Sequence, residues 1–125
     1  MLIRASALTE KVIGSAIEVH RTLGPGLLES AYDRCLVREL ILREIDFKRQ
    51  VALPIVYKGE RIDCGYRVDF IVDDSLLLEI KSVERVLPIH QAQIMTYLKL
   101  LNLRQGLLIN FNSKRLVDGL RSVLL

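Results

Sequence analysis

The chain has 125 residues, 50% of them hydrophobic and 26% charged, and 18 basic against 15 acidic residues give it a formal charge of +3. This composition is typical of one globular domain and excludes disordered and low-complexity classes. The small positive charge permits a polyanionic partner without requiring one.

Two helices are predicted in the first third of the chain. Apolar residues recur at helical spacing from Ala7 to Leu23, and Gly24-Pro25-Gly26 should end this segment. A second helix is expected over about residues 27–45, with one apolar face and an outer face of charged residues.

The periodicity then changes to that of strands. We expect a first strand over residues 50–57, a longer strand over 61–72 that Gly65 interrupts, and a third over 76–82. These strands should form an antiparallel meander. Pro54 has no N–H to donate to a ladder, so the first strand is expected at an edge of the sheet.

A helix over residues 89–102 and a strand over 106–111 complete the predicted core. Because a strand, a helix and a strand in succession form a right-handed crossover, the last strand should lie parallel to the strand over 76–82. Residues 114–125 fit a helix or a strand equally well. The expected fold is a single α/β (α+β) domain over residues 1–125, with a four-stranded mixed sheet flanked by helices.

The strand over residues 76–82, LLLEIKS, carries two charges in an otherwise apolar run. Alternation places Glu79 and Lys81 on the face opposite Leu78 and Ile80. Charges are costly to remove from water unless they are paired or bound, so the presence of two in this strand requires an explanation.

Alternation along residues 66–72 predicts one apolar face, which the next strand should share. With a three-residue loop between the strands, Phe70 pairs with Leu78, and Asp69 falls opposite Glu79. The residues expected on the apolar face are Tyr66, Val68, Phe70 and Val72.

Two opposed carboxylates destabilise a pair of strands, and a divalent cation such as Mg²⁺ between them would reverse the sign of that interaction. The alternative is a solvated face of the sheet, on which Lys81 and Arg67 neutralise the carboxylates. The two strands alone do not exclude either interpretation.

The two outer helices also carry candidate site residues. The helix after Pro88 has a polar stripe of His90, Gln93 and Tyr97 beside its apolar stripe. Glu29 lies in the first turn of the second helix, where its simplest role is to complement the helix dipole. His90 is expected to pack or to form hydrogen bonds rather than to act as a general base.

The two cysteines and the two pairs of basic residues do not indicate a functional site. Cys35 and Cys64 lack the spacing of a zinc site or a disulfide framework, so we expect reduced thiols and a cytoplasmic protein. No apolar run resembles a signal peptide or reaches membrane-spanning length. The pairs Lys48-Arg49 and Lys114-Arg115 are expected to be solvated.

Three motifs occur in order along the chain: Asp69, then Glu79-x-Lys81, then Gln93-x-x-x-Tyr97. This ordered set resembles the motifs of the PD-(D/E)XK nuclease superfamily. The segment GLLESAY at 26–32 resembles the signature of the GxxExxY group within it, as Gly26, Glu29 and Tyr32. The chain departs from the superfamily's name at Val68, which stands in the place of proline.

The resemblance implies a restriction-endonuclease-like αβββαβ core with an extra N-terminal helix, and Mg²⁺-dependent hydrolysis of a phosphodiester bond. The implied metal ligands are Asp69, Glu79, the Ile80 carbonyl and, as an outer ligand, Glu29. The implied catalytic residues are Lys81, which would orient and deprotonate water or stabilise phosphoryl charge, and Gln93 and Tyr97, which would position metal-bound water or the nucleic-acid backbone.

The implied cofactor is Mg²⁺, with Mn²⁺ as a substitute, and the implied partner is nucleic acid, with DNA favoured over RNA. A non-catalytic module of the same fold that binds nucleic acid or a protein stays open as the alternative. A homodimer also stays open, because so short a chain is rich in hydrophobic residues and ends in the apolar sequence SVLL.

Overall fold

A five-stranded mixed sheet lies between two helical layers in the computed structural model, which describes residues 6–125. The helices are α1 (Ala7–Leu23), α2 (Glu29–Leu42) and α3 (Pro88–Leu101), with a 3₁₀ helix at Leu116–Gly119. The strands are β1 (Phe47–Ala52), β2 (Ile55–Tyr57), β3 (Glu60–Ile62), β4 (Arg67–Val72), β5 (Leu76–Lys81), β6 (Gln105–Asn110) and β7 (Leu120–Leu124). None of the helices in this part of the chain is long and apolar enough to span a membrane.

Local signals in the sequence define the ends of α1. The Ser6 hydroxyl accepts a hydrogen bond from the Thr9 N–H and caps the first turn. At the other end, the Gly24 N–H donates to the His20 carbonyl at 2.7 Å. The predicted end of the helix at the Gly-Pro-Gly segment is therefore confirmed.

The strand order β1-β4-β5-β6-β7 confirms two expectations. Strand β1 lies at an edge, and β6 runs parallel to β5. The β4–β5 register pairs Phe70 with Leu78 and Val72 with Leu76, as predicted. Elements α2, β1, β4, β5, α3 and β6 form the expected αβββαβ core, and α1 precedes it.

The prediction of four strands was wrong, because residues 120–124 form β7 and pair with β6. The predicted strand over residues 50–57 is also divided, whereas the division of the strand over 61–72 at Gly65 is as predicted. The first breaks at Leu53-Pro54, where proline cannot continue the ladder, and the second breaks near Gly65, which adopts a φ of 73°. The inner pieces, β2 and β3, form a separate hairpin.

Two hydrophobic clusters pack against opposite faces of the sheet. Helices α1 and α2 cover the face that carries Phe70 and Leu78, and α3 covers the face that carries Leu77 and Leu108. Val68 belongs to the cluster under α3, so the expectation that it shares a face with Phe70 was wrong. The alternation of β4 is interrupted between these two residues, at Asp69.

Gly106 in β6 lets α3 approach the sheet closely. A Cβ atom at this position would stand 2.7 Å from Cγ2 of Ile94, well inside van der Waals contact. We therefore expect Gly106→Ala to destabilise the fold by about 1–3 kcal/mol, the usual cost of overpacking a core. Thermal and denaturant unfolding would measure this change.

The control for this prediction is Gly14→Ala in the middle of α1. Its added Cβ would meet only the flexible end of the Arg43 side chain, at 3.3 Å, and alanine favours a helix by about 0.5–1 kcal/mol over glycine. This variant should be neutral or more stable. Equal destabilisation by both substitutions would contradict the close approach of α3 to β6.

Candidate active site

The side chains of Asp69 and Glu79 hold β4 and β5 together beyond the point where regular pairing is observed. The last regular pair is Phe70 with Leu78. Beyond it, the Ile80 N–H donates to Oδ2 of Asp69 at 2.7 Å, and the Asp69 N–H donates to Oε1 of Glu79 at 3.2 Å. Each carboxylate therefore uses one oxygen to bind the backbone of the neighbouring strand.

Burial raises the pKa of both carboxyl groups in this pair. The Glu79 side chain is buried, with 6% of its surface exposed, and burial followed by the charge of Asp69 raises its pKa to about 8. Burial also raises the pKa of Asp69, while its hydrogen bonds to the Ile80 N–H and the Glu79 carboxyl oppose the rise. At neutral pH the raised pKa of Glu79 therefore favours its protonated form in the metal-free protein.

Lys81 lies two residues beyond Glu79 on β5 and is half-buried. Its ammonium group lowers the pKa of Glu29, Asp69 and Glu79, which places it within electrostatic reach of all three. Across residues 6–125 it forms no salt bridge. Its charge is therefore directed towards the carboxylates without being tied to any one of them.

A distortion of β1 lies opposite Asp69. Gln50 has a φ of 51°, while its neighbours Arg49 and Val51 pair regularly with Phe70 and Val68. A left-handed backbone at a residue other than glycine costs of the order of 1 kcal/mol or more, and such residues cluster at functional sites. This distortion coincides with the change of face in β4 and accompanies the opening of Asp69 towards solvent.

Asp69 lines a cavity of about 520 Å³ between α2 and the edge strand β1. Glu29 stands at its exposed rim, where partial shielding from water raises the pKa of its carboxyl group and Lys81 opposes the rise. The cavity is lined by Glu29, Ser30, Asp33, Arg34, Arg49, Gln50 and Asp69. Glu29 and Asp69 thus come together, as their predicted roles require.

Tyr32 fixes the loop from which Glu29 emerges. Its ring is buried and stacks on Phe111 with 4.6 Å between the ring centroids. Its hydroxyl donates to the Gly24 carbonyl at 2.5 Å and accepts from the Leu27 N–H at 3.1 Å. The Leu27 carbonyl in turn accepts from the Ser82 hydroxyl at 2.6 Å, which ties this loop to the end of β5.

The polar stripe of α3 lies on another surface. Gln93 and Tyr97 line a second groove, of about 360 Å³, and neither borders the cavity that contains Glu29. Burial raises the pKa of the Tyr97 hydroxyl, and the charge of Glu79 raises it further. Tyr97 therefore lies close enough to the carboxylate pair to interact with it electrostatically. His90 accepts a hydrogen bond from the Leu87 N–H through Nδ1, which agrees with the expected hydrogen-bonding role.

Sequence reasoning missed five residues that line the cavity: Ser30, Asp33, Arg34, Arg49 and Gln50. Arg49 forms a salt bridge with the buried Asp33 and therefore differs from Lys48, which pairs with Asp74 at 2.9 Å. The spacing from Glu29 to Asp33, one helical turn, was the signal in the sequence that could have placed Asp33 beside Glu29. The left-handed backbone of Gln50 had no signal in the sequence.

The carboxylate pair fits a divalent cation. Hard cations such as Mg²⁺ take carboxylate oxygens, and a cation would relieve the repulsion that now keeps a proton on the buried pair. In the part of the chain that the structure describes, no three His, Cys, Asp or Glu side chains form a preassembled metal cluster. The ligands that the structure places together are the two carboxylates of Asp69 and Glu79.

Fold and site together define a class of protein: an αβββαβ domain with two carboxylates and a lysine on neighbouring central strands. The sequence profile of the PD-(D/E)XK nuclease superfamily matches residues 6–123, and the chain belongs to this superfamily. Comparison with curated proteins gave no match, and comparison with solved structures gave none.

The raised pKa of Glu79 predicts how the stability of the metal-free protein depends on pH. The folded state binds more protons than the unfolded state between the ordinary pKa of 4.5 and the folded value of about 8. The free energy of unfolding should therefore fall as pH rises through this window. In chelator, Glu79→Gln should flatten this dependence in thermal unfolding measured from pH 5 to pH 9.

The control for the pH prediction is Glu84→Gln, which removes an exposed charge outside the carboxylate pair. It should keep the wild-type dependence on pH. Asp69 will leave some slope in Glu79→Gln, because its pKa is also raised. A wild-type stability that rises with pH across the window would show that the pair is not held protonated.

Proposed function

We propose that this protein is a metal-dependent nuclease that hydrolyses phosphodiester bonds of nucleic acid. The observation that carries the proposal is the pair of Asp69 and Glu79, whose carboxylates bind the backbone across β4 and β5 beside Lys81, a lysine without a salt bridge among the described residues. A structural role alone would favour apolar residues at these central strand positions, because buried carboxylates are costly.

Mg²⁺ is the proposed cofactor, and Mn²⁺ its proposed substitute. A bound metal of this kind supplies nucleophilic water near neutral pH and neutralises charge on the phosphate. The proposed ligands are Asp69, Glu79, the Ile80 carbonyl and, from the rim, Glu29. Their oxygen chemistry suits a hard cation, and the position of Glu29 beside Asp69 supports its role as an outer ligand.

Lys81 is the proposed catalytic residue on the sheet. Its ammonium group would orient the attacking water and help remove its proton, or stabilise charge on the phosphoryl oxygens. Gln93 and Tyr97 are proposed to position the water or the nucleic acid. The proximity of Tyr97 to Glu79 supports this role more directly than the location of Gln93 does.

Membership of the GxxExxY group is a further part of the proposal. Gly26 has a φ of 102°, Glu29 stands at the cavity rim, and Tyr32 anchors the loop between them. Each signature residue therefore has a distinct local task. A cytoplasmic location is also proposed, supported by two cysteines that form no disulfide in the described chain.

The alternative is a module that keeps the fold and binds nucleic acid or a protein without cleaving it. The observation that supports this alternative is the lack of a three-residue metal cluster within residues 6–125. A homodimer is compatible with either function, and the exposed Leu124 and Leu125 at the edge strand β7 support it. DNA is proposed as the substrate ahead of RNA.

Two substitutions separate metal binding from chemistry. Asp69→Asn should weaken Mg²⁺ and Mn²⁺ binding, because it removes a charge from the ligand set. Lys81→Ala should leave metal affinity unchanged or slightly higher, yet lower cleavage by roughly 10² or more. Calorimetry would measure binding, and single-turnover cleavage of single-stranded, double-stranded and branched DNA and of RNA would measure activity.

Both variants must first show wild-type circular dichroism. Cleavage by Lys81→Ala at the wild-type rate would remove Lys81 from the mechanism. If the wild type binds no divalent ion at millimolar concentration, even with nucleic acid present, the non-catalytic alternative replaces the proposed function.

Arg34 is proposed to contact a substrate phosphate, because it is exposed and lines the cavity beside Asp69. Arg34→Ala should weaken nucleic-acid binding and reduce the salt dependence of binding by roughly one unit of slope. Arg38, one turn further along α2, is exposed but does not line this cavity, so Arg38→Ala is the matched control. Equal effects of the two substitutions would indicate only a general loss of positive charge.

A further inference from the structure

The groove between α3 and the start of β4 has the chemistry of a site for an aromatic ring. Its volume is about 360 Å³, which falls within the usual range for small-molecule sites. It is lined by Leu53, Ile55, Tyr66, Ile89, Ala92, Gln93, Thr96, Tyr97 and Leu100. Most of these side chains are apolar or aromatic, and a few polar groups are placed among them.

Tyr66 and Tyr97 give this groove a wall with two aromatic rings. Tyr97 is buried, whereas Tyr66 has 52% of its surface exposed. The Tyr66 carbonyl accepts a hydrogen bond from the Leu53 N–H at 3.2 Å, so its backbone is held against the loop after β1. Tyr66 therefore presents an exposed ring from a backbone position that is held in place.

The groove lies near the carboxylate pair, although neither Asp69 nor Glu79 lines it. Tyr66 precedes β4, which carries Asp69 three residues later, and Val68 packs in the same cluster as Tyr97. The raised pKa of Tyr97 has Glu79, Tyr66 and Asp69 among its causes, after burial. A nucleic acid with one phosphate at the carboxylate pair would therefore bring a neighbouring nucleotide to the groove.

We propose that this groove binds an unpaired nucleobase next to the phosphate at the Asp69–Glu79 pair, so that the protein acts on single-stranded or frayed nucleic acid. The inference rests on the proposed function for the position of that phosphate. Base-to-aromatic stacking tolerates any sequence, and the Gln93 amide and Thr96 hydroxyl supply groups for the edge of a base. In an intact duplex the bases are stacked on one another and cannot enter.

The test compares variants that keep or lose the exposed ring. Tyr66→Ala should weaken binding of a single-stranded oligonucleotide about tenfold, the scale of losing one base-to-aromatic stack. Tyr66→Phe keeps the ring and should bind as the wild type does. Tyr57→Ala is the matched control, because Tyr57 is 63% exposed on the β2–β3 hairpin and does not line the groove.

A second substrate separates base contacts from phosphate contacts. On an abasic strand of the same length, wild type and Tyr66→Ala should bind equally weakly, because no base remains to stack. On a duplex whose two ends are closed by non-nucleotide linkers, so that no base is unpaired, Tyr66→Ala should have no effect. Binding is measured by fluorescence anisotropy with Ca²⁺, a hard cation that takes the same oxygen ligands as Mg²⁺.

Three results would overturn the inference: no binding of single strands by the wild type, equal losses from Tyr66→Ala on normal and abasic strands, or equal losses from Tyr66→Ala and Tyr57→Ala. Because the assay measures binding, it does not depend on cleavage. A protein that binds single strands through Tyr66 but cuts nothing would contradict the proposed function and support the base-binding groove.

Discussion

The forced proximity of a buried carboxylate, Glu79, and a half-buried one, Asp69, is the constraint on which the rest of this structure depends. Asp69 and Glu79 each bind a backbone N–H of the neighbouring strand, so neither can turn away from the other without breaking a hydrogen bond between β4 and β5. Removing a charge from water costs free energy, and this cost is lower when the pair carries a proton. The proposed cation would compete with that proton, so its binding should strengthen as the pH rises.

Elements outside the pair maintain the geometry around it. The left-handed Gln50 interrupts β1 opposite Asp69, and the alternation of β4 changes there. Tyr32 ties the loop before α2 to the core through its hydroxyl and its stacked ring, and so places Glu29 at the cavity rim. The strained backbone of Gln50 on one side of the carboxylate pair and the anchored Tyr32 on the other are features typical of a preorganised charged site.

The sequence predicted those parts of the fold that periodicity and strand pairing determine. The parallel pairing of β5 with β6 and the Phe70–Leu78 register follow from a crossover rule and from matching apolar faces. Val68 was assigned to the wrong face because strict alternation assumes an unbroken strand, and the break depends on tertiary contacts with β1. The role of Arg49 was missed for a related reason: its salt bridge with Asp33 joins β1 to α2.

The carboxylate pair also links two surfaces that differ in chemistry. Asp69 lines the charged cavity under α2, where Arg49 is paired with Asp33 and Arg34 is exposed, whereas Glu79 lies near Tyr97, which lines the apolar groove under α3. In the proposed complex, a phosphate would bind at the first surface and a base at the second. A nucleic-acid strand that uses both must separate its bases from a partner strand near the carboxylates. The proposed use of both surfaces would therefore favour substrates whose bases are already unpaired, since these avoid the free-energy cost of opening a duplex.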